Sequence, residues 1–339
     1  MHNERWIVLA AFYPPHQIGG GEVSDHWIMR QAVRDGVDVT VWCEAPDENN
    51  TVYEGVKVRR SPAARQQFYR QIGQIRPSRV FISGPITVVP WKVPPATCPV
   101  LLLRSHAHLP LLRQLAPILS RVVVPSRYFK EVVQAYQPTF PSEQILVSYP
   151  NIAPIEPLPR HNPRFVTTVS AQQHKGIDLF LALAGVVPGS DFLVADALHP
   201  AAVRQIRDGI KVDGNLFVSE HHRSMKQIYF LTKVLLAPVV PSQHIETFGK
   251  AIAEAVMHGV PALTYPIGAP LEYLDERLLV PRNETSLAGQ LVAWQEKLQW
   301  LDSNPAEVAD AVGRSAARLS ELQLPDQARQ LVHILRNTS

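Results

Sequence analysis

Apolar residues along the chain gather into short, valine-rich runs that alternate with polar and helical stretches. Trp6 to Phe12 reads as the first buried strand. It breaks at Tyr13-Pro14-Pro15, passes the triplet Gly19-Gly20-Gly21 and leads into a helix from about Glu22 to Arg34. Val37 to Trp42, Val52 to Val58, Val80 to Ser83, Val100 to Arg104 and Val122 to Val124 supply further strands. Runs that are apolar on both faces need cover on both sides, so their alternation with helices predicts a largely parallel sheet. Prolines then crowd the stretch from about Pro138 to Pro163, including Pro150, Pro154, Pro157 and Pro159, which marks a linker between domains. Beyond it the rhythm restarts, with strands near Phe165, Phe192, Leu216, Val234 and Ala262 and helices between them.

This pattern predicts an α/β chain of two Rossmann-like halves. Its 339 residues exceed the usual single-domain size. We divide it at residues 1–150 and 151–339, with the last helix a candidate to pack back on the N-terminal domain. With 46% hydrophobic and 19% charged residues and a net charge of +3, the composition excludes a disordered chain and a dedicated nucleic-acid binder. The two cysteines, Cys43 and Cys98, show no CxxC or Cys/His zinc spacing, which fits a reducing, cytoplasmic location. The N-terminus passes straight into a strand, without the features of a signal peptide. No apolar run approaches the roughly 20 residues that cross a bilayer, so any membrane contact is expected to be peripheral.

Chemistry concentrates in Glu246-Thr247-Phe248-Gly249 and the residues up to Glu254 and Gly259-Val260-Pro261, which follow the apolar strand Val234 to Ala237. A helix beginning near Phe248 would put Glu254 on its second turn and Glu246 ahead of its N-terminus. Unpaired N–H groups make such a terminus an anion site, and the carboxylates can accept hydrogen bonds from sugar hydroxyls.

The segment resembles the two-glutamate signature, Glu, seven residues, Glu, of retaining GT-B glycosyltransferases. That family includes glycogen synthases, sucrose synthases and bacterial lipid mannosyltransferases. The resemblance implies two Rossmann-like domains facing each other across a cleft, an N-terminal acceptor domain and a C-terminal domain that binds the nucleotide-sugar. It implies that Glu246 lies beside the donor sugar, that Glu254 holds the ribose, and that Thr247, Phe248 and Gly249 belong to the donor-binding loop. Three further segments follow in the family's order. The loop from Phe12 to Glu22 is similar to the first strand-to-helix loop, where Gly20 and Gly21 would let backbone approach the donor diphosphate and the acceptor. His174-Lys175-Gly176 is similar to the segment whose lysine contacts the diphosphate and stabilises the leaving group. Gly268-Ala269 resembles a glycine loop near the sugar and phosphates. In the N-terminal half the family places a histidine near the reacting sugar, here His106 in preference to His108.

Two departures stand out. Ser170 occupies the position of an arginine that usually supplies a second clamp on the diphosphate, and Asp196 follows a strand that usually ends in glycine. The resemblance implies metal-independent transfer with retained anomeric configuration from a UDP-sugar, with no cofactor beyond the donor substrate and an unknown acceptor: a glycan, a lipid or a small metabolite. A hydrolysing nucleotide-sugar epimerase and a non-catalytic binding protein of the same architecture are the alternatives. His106-x-His108 and His221-His222 lack Asp or Cys partners at metal-ligand spacing. Seven basic residues between Lys57 and Arg79, with no acidic one among them, read as a solvated face and a possible membrane contact.

Overall fold

The computed structural model describes residues 4–15, 19–152, 163–196, 199–209, 214–219, 225–282, 286–323 and 326–337. The chain forms two units: Met1–Asn151 with Gln323–Ser339, and Ile152–Leu322. Much of the linker expected at 138–163 falls outside the described residues. Its first part is folded, because Ile145–Val147 is a strand.

In chain order the first unit contains β1 (Arg5–Ala10), α1 (Gly20–Arg34), β2 (Asp38–Glu44), β3 (Asn49–Tyr53), β4 (Val56–Ser61), α2 (Ala64–Ile75) and β5 (Arg79–Ser83). It continues with β6 (Val100–Leu102), α3 (Leu109–Leu115), β7 (Arg121–Val124), α4 (Arg127–Tyr136) and β8 (Ile145–Val147). The strands form one sheet in the order β3-β4-β2-β1-β5-β6-β7-β8, parallel except where β3 runs against β4. Strand alternation sends Ile7, Leu9, Val80, Ile82, Leu101, Val122 and Val124 to one face, against Phe68, Leu112, Phe129 and Val133. It sends Trp6, Val8, Ala10, Phe81, Val100, Leu102 and Val123 to the other, against Ile28, Met29 and Ala32. Two covered faces explain the unbroken apolar runs, and each large side chain so withdrawn contributes ~1.5–3 kcal/mol. The run Val52 to Val58 is not one strand: Glu54 (φ 46°) and Gly55 (φ 88°) make a two-residue hairpin turn that pairs Tyr53 with Val56.

The second unit contains β9 (Phe165–Thr168), α5 (Ile177–Val186), β10 (Asp191–Ala195), α6 (Pro200–Gly209), β11 (Leu216–Ser219) and α7 (Met225–Leu231). β12 (Thr232–Ala237), α8 (Lys250–Met257), β13 (Ala262–Thr264), α9 (Leu287–Ser303) and α10 (Pro305–Leu322) complete it. Its five strands are all parallel, in the order β11-β10-β9-β12-β13. The order reverses between β9 and β12, and in such sheets ligands bind at the carboxyl ends of the strands that flank the reversal. Finally, α11 (Gln327–Asn337) returns to the first unit, where Leu331, Val332 and Leu335 are buried against the face that α1 covers.

Candidate functional site

The loops after β9 and β12, on either side of the reversal, carry Lys175 and Glu246. After β9 the backbone turns at Ser170, whose hydroxyl accepts from the N–H of Gln172, and the N–H of Ala171 donates to Asp196 Oδ2 at 2.8 Å. A 3₁₀ turn at Gln173–Lys175 leads to Gly176 (φ 85°), which begins α5. A Cβ at Gly176 would stand 1.8 Å from the carbonyl oxygen of Pro238, so only glycine lets the two loops lie together. The Val240 N–H donates to the His174 carbonyl and ties them.

This approach brings the Lys175 ammonium 2.6 Å from Glu246 Oε1 and 2.7 Å from His244 Nε2. An ammonium only donates, so His244 Nε2 accepts and the ring carries its proton on Nδ1. Burial works to raise the Glu246 carboxyl, but the Lys175 ammonium beside it overrides this and holds the group well below the usual carboxylate range. A third loop closes behind it. Gly268 (φ 76°) has no room for a Cβ, which would fall 2.6 Å from the Glu246 carbonyl oxygen, and the Ala269 N–H donates to that same oxygen.

Gly249 (φ 77°) is the N-cap of α8, so the helix starts at Lys250 rather than near Phe248, and Glu254 still falls on its second turn. Phe248 is 3% exposed, and the Tyr273 hydroxyl donates to its carbonyl at 2.8 Å, so this ring shapes the loop from inside. Thr247 lies in the same loop between Glu246 and Phe248. Glu254 meets Tyr229, whose hydroxyl donates to Oε2 at 3.0 Å, while the Lys250 ammonium lies 3.4 Å from Oε1. Burial, reinforced by the Glu254 charge, pushes the Tyr229 phenol well above its ordinary range. Sequence reasoning missed both Tyr229 and His244. Neither belongs to the motif, and each acts through a contact made only on folding.

In the first unit the helix begins at Gly20, two residues before the expected start, with Gly19 as its N-cap. A Cβ on Gly19 would fall 2.2 Å from Glu22 Oε2, because the Glu22 carboxyl folds back over the helix start. Burial raises that carboxyl, and hydrogen bonds from the backbone N–H groups of Glu22 and Gly19 oppose the rise. The expected anion slot at Gly20 and Gly21 therefore already faces an internal carboxylate, as in a capping box. Beside it the Arg104 side chain, packed on Gly21, donates to the buried Asp25 at 2.8 Å, and the Ser83 hydroxyl donates to Asp25 as well. His106 lies on a 3₁₀ turn with Nε2 3.2 Å from the Tyr128 hydroxyl and its ring 4.8 Å from Phe129. Burial lowers the pKa of His108, against the opposing pull of the Asp25 carboxylate.

Of the basic run, Lys57 pairs with Asp38, Arg65 with Glu44, and Arg79 donates to the Leu335 carbonyl. His221 and His222 lie outside the described residues. Among the described residues no group of three or more His, Cys, Asp or Glu side chains is placed to hold a metal ion, and no helix is long and apolar enough to cross a membrane.

No family model and no curated relative matches the chain. Solved structures do. HepE of Anabaena in complex with UDP-glucose superposes with a TM-score of 0.72 at 13% identity, covering 99% of this chain and 100% of that one. Sucrose-phosphate synthase of Thermosynechococcus elongatus gives a TM-score of 0.72 at 15% identity and 98% of each chain. WaaG, a glycosyltransferase involved in lipopolysaccharide biosynthesis, gives 0.72 at 12% identity over 98% of this chain and 100% of that one. The fold is that of GT-B glycosyltransferase structures, with two Rossmann-like domains.

Proposed function

We propose that the protein is a glycosyltransferase that moves a sugar from a nucleoside-diphosphate sugar, by preference a UDP-sugar, to a hydroxyl of an acceptor whose identity stays open, with the anomeric configuration retained. The observation that carries this reading is the Lys175–Glu246 contact at 2.6 Å, made across 71 residues of sequence at the reversal point of a parallel sheet. A cation and a carboxylate at that point suit the two ends of a sugar diphosphate. The UDP and UDP-glucose complexes of HepE, which shares the fold, support the choice of donor.

In this reading Lys175 leaves Glu246 for the diphosphate, neutralises the charge that builds on it as its bond to the anomeric carbon breaks, and so favours departure. Glu246, released from its ion pair, accepts from sugar hydroxyls. Glu254, aimed by Tyr229, accepts from the ribose, and the backbone of Thr247, Phe248 and Gly249 lines the donor at the start of α8. The acceptor oxygen attacks from the face the phosphate leaves, and a phosphate oxygen takes its proton. His106, Gly20 and Gly21 belong to the half that holds the acceptor in this reading. Lys175 and the α8 N–H groups supply the positive charge without a metal or added cofactor. A cytoplasmic site of action fits the two free cysteines.

Calorimetric titration of the purified chain, without divalent metal, against UDP, GDP, ADP and TDP and their sugar conjugates tests the donor reading. Selective binding of the uridine ligands is expected; heat from none of them would sink it. Incubating the donor without acceptor separates transfer from hydrolytic epimerisation, which would release a new free sugar.

A further inference from the structure

Three imidazoles gather at the carboxyl ends of neighbouring strands: His174 after β9, His199 after β10 and His244 after β12. The His174 and His244 ring centroids are 5.2 Å apart, and His199 lies within electrostatic range of His174. The Lys175 ammonium joins them. Among the described residues, the carboxylates Glu246 and Asp196 contact the cluster. Glu246 is engaged by Lys175, and its Oε1 also lies 3.5 Å from His244 Nε2; Asp196, 2% exposed, accepts from the backbone N–H groups of Ala171 and His199 and contacts the His199 ring at 2.9 Å. Glu272 and the Tyr273 hydroxyl lie on the loop behind Glu246. Ser170, where a fixed guanidinium is expected, heads the same loop that carries His174 and Lys175.

We propose that His174 and His244 stand in for the missing arginine, binding the donor's diphosphate as imidazolium groups, so that donor binding takes up protons from solvent, at most one on each ring. This rests on the donor reading given above. Without ligand, Nε2 of His244 is occupied, accepting from the Lys175 ammonium at 2.7 Å. Burial, reinforced by the Lys175 ammonium next to it, lowers the His174 imidazole. A diphosphate reverses both conditions. Lys175 turns to a phosphate oxygen, Nε2 of His244 is freed, and a nearby anion favours the charged ring. The proton that enters on a ring nitrogen leaves again when the nucleotide departs. An arginine would carry its charge at every pH; this pair acquires charge only with the ligand.

The test uses UDP-glucose, whose diester phosphates keep their charge through the neutral range, titrated into the whole chain without acceptor. Calorimetry at one pH in buffers of low and high ionisation enthalpy is expected to show a buffer-dependent heat corresponding to proton uptake. Affinity is expected to tighten by up to about tenfold per pH unit for each ring that takes up a proton, between about pH 8 and about pH 6. In the double variant His174→Gln, His244→Gln the uptake and the pH dependence vanish. Adding Ser170→Arg to it restores affinity without uptake. Equal heats in both buffers with binding intact, or uptake that persists in the double variant, would overturn the inference while leaving the donor reading standing. The wild-type comparison decides even where a variant fails to fold. Failure of UDP-glucose, GDP-mannose, ADP-glucose and TDP-glucose to bind at any pH would overturn the donor reading, and this inference with it.

Discussion

Tyr229 aims Glu254: the phenol donates to Oε2 of the carboxylate at 3.0 Å and also to the Ala251 carbonyl at 3.2 Å, clamping α7 to α8. One carboxylate oxygen is thereby fixed by a buried donor, while the other lies 3.4 Å from Lys250.

Tyr229→Phe keeps the ring and removes the donor. The lost hydrogen bond corresponds to about 1 kcal/mol, so nucleotide affinity should fall roughly fivefold while turnover at saturating donor changes little. Calorimetry and initial rates on the same preparation check both halves. Unchanged affinity would mean that the ribose is read elsewhere.

Glu254 and Lys175 should fail differently. Glu254→Ala is expected to weaken nucleotide binding, whereas Lys175→Ala is expected to lower kcat by about 10²–10³, the scale of losing one positioned group that stabilises a transition-state charge. Measured against the donor that titration selects, a Lys175→Ala enzyme with normal turnover would remove the lysine from the chemical step.

The Glu246 carboxyl, held below its unfolded range, contributes stability that is complete above about pH 4.3 and is lost as the pH falls through the folded value. Denaturant midpoints of the wild type should therefore drop on acidification below about pH 4.3 more steeply than those of Glu246→Gln. The variant should also be less stable at neutral pH, because Lys175 loses its partner. Parallel acid slopes for the two proteins would contradict the ion pair's part in folding.

Gly176→Ala places a methyl group where Pro238 stands and demands a positive φ of an L-residue. A loss of about 2–4 kcal/mol is expected, read as a lowered denaturant midpoint, with donor affinity falling too because the loops can no longer meet. A midpoint within experimental error of wild type would show that the loops have slack.

Strand positions were readable because β1, β5 and β7 are apolar on both faces, a pattern that few other structures produce. A motif singled out Lys175, Glu246 and Glu254, and folding brings the first two into contact. The turn at Glu54-Gly55 was passed over because a hairpin inside a valine-rich run leaves the hydrophobic pattern almost unbroken. Tyr229, His244 and the fold-back of Glu22 were invisible for another reason. Their roles depend on side-chain geometry rather than residue type, and a tyrosine 25 residues from its carboxylate partner carries no periodic trace of that contact.

The placement of α11 bears on how the protein is made. Leu331, Val332 and Leu335 fill the core beneath α1, and Arg336 pairs with Glu4, so the unit that starts at the beginning of the chain contains residues translated more than three hundred codons later. During synthesis that half waits on the ribosome with an apolar face uncovered, while the second unit, contiguous from Ile152 to Leu322, has all of its own sequence already in hand.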